Sequence, residues 1–105
     1  MDTKFDELAI LKFLDREKAS GKINDVFIRL VSPKDMDVYV AAPSENLIST
    51  LVSIETSLYT ERKLGVVLVS RKGNTIKALL NSGITVFIKV VGPSEIEQFR
   101  SRKDS

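Results

Sequence analysis

Neither cysteine nor histidine occurs among the 105 residues, and those two absences exclude more chemistry than anything present implies. Without Cys there is no disulfide framework, no thiolate nucleophile and no zinc site built on thiolates. Without His the commonest general base and the commonest metal ligand are both missing, and a Ser-His-Asp triad is ruled out. The glycine spacings of a P-loop and of a dinucleotide fingerprint are also missing, so no cofactor is expected. No apolar run approaches the roughly 18 residues that a membrane span needs, and no membrane association is expected. Met1, Asp2, Asp6 and Glu7 lack the basic-then-apolar order of a secretion signal, which points to the cytoplasm. Gln98 is the only glutamine; with the missing Cys and a charged fraction of 29% this is a thermophile-like composition.

What remains is ordinary globular material, 43% apolar, in a length that fits one domain with a single modest core. The charge is unevenly placed. Residues 1–62 hold 8 Lys/Arg against 11 Asp/Glu, and residues 63–105 hold 8 against 3. A basic second half attracts phosphate backbones without reading sequence.

The order of elements predicts an α/β fold. Thr3 to Ser20 reads as a helix ended by Gly21, with Phe5, Leu8, Ile10, Leu11, Phe13 and Leu14 leaving little beyond its last turn to face water. Ile23–Val31 and Asp37–Ala42 read as strands joined by Ser32-Pro33-Lys34-Asp35, an antiparallel hairpin. Pro43-Ser44 opens a helix to about Thr60, with Leu47, Leu51, Ile54 and Leu58 in one apolar row and Ile48, Val52 and Tyr59 in the row beside it. Leu64–Val69 reads as a buried strand, Asn74 to Ser82 as a short helix ended by Gly83, and Ile84–Val91 as a second buried strand, together a βαβ unit. Ser94 with Glu97 makes a capping box for a last helix that frays into a basic tail from about Arg100. The prediction is therefore a single domain of order αββαβαβα: a mixed four-stranded sheet with helices on both faces.

Four features could carry function. The loop Arg71-Lys72-Gly73-Asn74-Thr75, placed at a helix N-terminus and at the carboxyl end of a parallel strand, would suit an anion, with Arg100, Arg102 and Lys103 adding charge from the tail. Contact with a nucleic-acid backbone is expected rather than recognition of unpaired bases. Phe87 is predicted to be buried, and only Tyr39, Tyr59 or Phe99 is expected to be exposed. Ser49, Ser53, Thr56 and Thr60 form one stripe of small hydroxyls on the second helix, a face for close approach by a protein partner or a second copy.

Carboxylates give the last feature. Asp35 and Asp37 lie about the hairpin turn, and Glu61-Arg62-Lys63 precedes a strand. An Asp followed by E-x-K resembles the metal-chelating set of PD-(D/E)xK nucleases, which implies Asp37, Glu61 and Lys63 as the chemical residues. The chain departs from that pattern, because a long helix separates elements that are adjacent strands in that family. The leading expectation is accordingly a non-catalytic interaction protein, an accessory subunit of a nucleic-acid-handling complex. The alternatives are a metal-dependent nuclease-like domain and a small anion-binding regulatory domain.

Overall fold

Among the described residues of the computed structural model three α-helices and five strands follow the order αββαβββα, with one 3-10 turn (Ser44–Asn46) before the second helix: α1 (Thr3–Ala19), β1 (Asp25–Ser32), β2 (Asp35–Ala41), α2 (Leu47–Thr60), β3 (Val66–Lys72), β4 (Thr75–Leu80), β5 (Thr85–Val91) and α3 (Pro93–Arg102). The structure describes the backbone of residues 3–60 and 64–102 and the side chains of residues 10–60 and 64–98. The strands form one mixed sheet in the order β1-β2-β5-β4-β3, parallel only between β2 and β5.

The predicted β1–β2 hairpin is present, closed by a turn in which the Ser32 hydroxyl donates to Asp35 (2.9 Å) and accepts from the Lys34 N–H. The predicted helix over 74–82 is instead β4, so there is no βαβ unit, and the sheet has five strands rather than four. Gly73 takes φ +60° and Asn74 stays at negative φ, the pattern of a two-residue type II′ hairpin. Asn81-Ser82-Gly83 turns β4 into β5 as a three-residue loop, with Gly83 at φ +95°, the Leu80 N–H donating to the Ile84 carbonyl and the Gly83 N–H to the Leu80 carbonyl, both at 2.9 Å. As a result β3 is an edge strand and not a buried central one. Val67 and Leu68 are exposed, and Val69 is its one buried residue.

Alternation along the strands divides the sheet into two unequal faces. Met36, Val38 and Val40 of β2, Ile76, Ala78 and Leu80 of β4, and Val86, Ile88 and Val90 of β5 form the main core. Ile10, Phe13 and Leu14 of α1 and Leu51, Ile54 and Leu58 of α2 cover them. That α2 row is the one its spacing predicts, whereas the neighbouring Ile48, Val52 and Tyr59 are exposed. Helix α1 is less enclosed than predicted: Lys12 and Asp15 reach solvent ahead of its last turn.

On the opposite face α3 packs on β1 and β2, its Ile96 joining Phe27, Tyr39, Ala41 and Val91 in a small second cluster. Helices thus flank both faces, as predicted, but α3 covers only part of its own. Its cap differs too. The Glu95 carboxylate accepts from the Gly92 N–H at 2.9 Å, and Pro93 sits in the first turn, so the box lies two residues earlier than Ser94 and Glu97. The helix continues through Arg102, beyond the predicted start of fraying.

Candidate nucleic-acid interface

Strand register brings together residues that lie far apart in the chain. Residues opposite one another in a ladder share a face, so one rung across the α3 face reads Arg29, Asp37, Phe87, Lys77, Ser70. The next reads Phe27, Tyr39, Lys89, Thr75, Lys72. With strands spaced about 4.8 Å apart, each rung crosses roughly 19 Å of surface. Ile96 of α3 closes over Phe27 and Tyr39; Lys77, Ser70 and Lys72 are exposed, while Phe87, Lys89 and Thr75 are half-buried.

The centre of this surface is a carboxylate held between cations. Asp37 is 8% exposed, and its Oδ2 lies 3.3 Å from Arg29 Nη2 and 3.9 Å from Lys89 Nζ. Arg29 Nη2 also donates to the Tyr39 hydroxyl at 3.5 Å. Burying a carboxylate without such partners is costly, so the two cations are what permits an acid here. Aromatic rings take part as well. Lys89 Nζ stands 5.2 Å from the Tyr39 ring centroid, and Lys77 Nζ 6.0 Å from that of Phe87; both lie within the range of a cation–π contact. Tyr39 in turn stacks on Phe27 with centroids 5.9 Å apart. Across the two rungs, Arg29, Lys72, Lys77 and Lys89 face the single carboxylate of Asp37, so the surface is net positive.

The residues singled out from sequence are distributed differently from expectation. Arg71 and Lys72 end β3, Gly73 and Asn74 form the hairpin turn, and Thr75 begins β4. With no helix following Asn74, the helix dipole that made this loop an anion site is not there. Neighbouring strand residues point to opposite faces, which separates the two basic side chains. Lys72 joins the positive rungs, while Arg71 turns to the α2 side and bonds Glu55 at 3.0 Å. Arg100 and Arg102 lie on the last turns of α3, and their side chains, like Lys103, fall outside the described residues.

Two hydroxyls of the α2 stripe bond backbone carbonyls about one turn earlier. Ser49 donates to the Asn46 carbonyl (3.1 Å) and Thr60 to that of Thr56 (3.0 Å). Ser49 and Ser53 border a cleft of about 350 Å³ between the α1 terminus and α2, with Glu17, Lys22, Asn46 and Thr50. The exposed apolar side chains of α2 lie on its other flank.

Asp35 is engaged in its turn and Asp37 in its cation pair, while Glu61 and Lys63 lie outside the described residues. Among the described residues no three His, Cys, Asp or Glu side chains gather into a metal site, and no described helix is long and apolar enough to cross a membrane.

Phe87, Lys89 and Arg29 are candidate site residues that reading by segments missed. The signal was present: Phe27 and Arg29, Asp37 and Tyr39, Phe87 and Lys89 each place an aromatic and a charge two residues apart, hence on one face of a strand. The aromatic expectation holds for Tyr59, which is exposed, and fails for Tyr39, which is 2% exposed, and for Phe87, which is half-buried rather than buried; the Phe99 side chain lies outside the described residues. Comparison with models of known families, with curated proteins and with solved structures gives no match for this chain.

Proposed function

We propose that this chain is a non-catalytic binding module that holds a nucleic-acid backbone against the uncovered part of its sheet, as an accessory subunit of a nucleic-acid-handling complex. The observation that carries the reading is the pair of rungs in which Arg29, Lys72, Lys77 and Lys89 converge on one face although the chain as a whole carries only +2. Phosphate contacts of this kind release counterions, so affinity should fall steeply with salt and depend little on sequence. The test is fluorescence anisotropy with labelled oligonucleotides at several salt concentrations. Lys72→Glu with Lys77→Glu should weaken binding and reduce the salt slope by about two, one unit per lost phosphate contact. Arg71→Glu, on the other face, should leave the slope unchanged. No binding at low salt, or equal loss from Arg71→Glu, would remove the assignment.

A second reading concerns α2 and a second copy of the chain. Ile48, Val52 and Tyr59 are 67%, 45% and 64% exposed along one flank, and exposed apolar rows of this kind favour an interface. The helix carries one charge, Glu55, already paired with Arg71, so two identical copies would meet with no like-charge repulsion.

A further inference from the structure

We infer that the open sheet face takes an unpaired strand, with one base laid on Phe87 and the neighbouring phosphates on Lys77 and Lys72. This rests on the nucleic-acid reading above and narrows it. The first support is shape. Reading a duplex groove takes a helix or ribbon that projects into it, whereas Lys77, Ser70 and Lys72 stand on a sheet surface whose helix, α3, sits over β1 and β2. A flat cationic face with an accessible ring is instead a stacking platform for unpaired bases.

The second support is the difference among the described rings on that face, Phe27, Tyr39 and Phe87. Tyr39 is buried, stacked on Phe27 and covered by Ile96. Phe87 lies one strand further in, half-open, flanked across the ladder by Asp37 and Lys77. Among the described residues Phe87 is therefore the ring of that face open to stacking, and it offers a place for a single base. The ring now carries the Lys77 ammonium at 6.0 Å. An incoming base takes that position and displaces the flexible lysine head, which then meets a phosphate. The third support is the division of charge. Asp37 is shared by Arg29 and Lys89, so among the described residues the cations of the two rungs without a carboxylate partner are Lys77 on β4 and Lys72 on β3, and the strand runs from Phe87 towards the β3 edge.

The test uses three labelled 12-mers on the full chain: single-stranded oligo-dT, an abasic strand of the same length and a mixed-sequence duplex. Oligo-dT should bind more tightly than either of the others. Phe87→Leu, which keeps an apolar side chain in the sheet, should weaken oligo-dT by about tenfold, the lower end of the range for one base–aromatic stack. The same variant should bind the abasic strand as the wild type does, which a misfolded protein would not. Duplex bound as tightly as oligo-dT, or oligo-dT indifferent to Phe87→Leu while Lys72→Glu with Lys77→Glu weakens every probe, would overturn the stacking inference and leave the backbone reading standing. No binding of any probe at low salt would overturn both.

Discussion

Asp37 would, under the proposed function, serve stability and oppose binding at once. Its carboxylate, nearly buried, lies between Arg29 and Lys89, yet it cancels charge on the face proposed to meet phosphate. Asp37→Asn keeps the volume and removes the charge. It should lower stability by about 1 kcal/mol, because both cations are more than a third exposed and the pair is partly screened. The same change should strengthen oligonucleotide binding at low salt. Denaturant titration and anisotropy on one preparation read the two signs; a variant that loses both stability and affinity would show that Asp37 chiefly orients Arg29. Its proximity to Lys89 was hidden in the sequence, since their strands are parallel neighbours about fifty positions apart and no local spacing records that pairing.

Among the elements, β4 was the hardest to read, for a definite reason. Ile76, Leu79 and Leu80 fit a helical spacing, and Ile76, Ala78 and Leu80 fit the alternation of a strand. Two features favoured the strand: the segment is only six residues long, and Gly73-Asn74 is a two-residue hairpin signal. Taking Asn74 as a helix cap reversed the reading of everything that depended on it, including the anion site. The turn gives a direct check. Gly73 adopts φ +60° with nothing within 4 Å of where a Cβ would stand, so Gly73→Ala should cost about 1 kcal/mol from backbone strain alone, and Gly73→Asn less. A cost near zero, from chemical denaturation, would mean that the hairpin conformation is not required. By contrast the core row of α2 was legible, since its 3.6-residue period had no competitor, whereas the exposure of the apolar row beside it, Ile48, Val52 and Tyr59, was not. If that row joins two copies, light scattering should give twice the chain mass, and Val52→Asp should return it to the monomer. A monomeric wild type would end the dimer reading.

Across the whole molecule, the two faces of the sheet separate what holds the fold from what the fold presents. Nearly all large buried side chains lie on the α1–α2 face, where Val86, Ile88 and Val90 of β5 are at most 1% exposed. Among the described residues the opposite face closes around Phe27, Tyr39, Ala41, Val91 and Ile96. Within β4 the division falls between adjacent residues: Ile76 and Ala78 are fully buried, and Lys77 between them is exposed. Substitutions one position apart should therefore act on different properties. Ile76→Ala removes three methyl-sized groups from a site without solvent and should cost about 2–5 kcal/mol. At temperatures where the variant is still folded, its oligonucleotide affinity should be unchanged. Lys77→Glu should leave stability within about 0.5 kcal/mol, as surface changes generally do, while weakening binding and lowering its salt slope by about one. Denaturant midpoints and anisotropy on the two variants make the comparison. If Lys77→Glu destabilised the fold as much as Ile76→Ala, the open face would be structural, and its cations would owe their placement to packing rather than to a ligand.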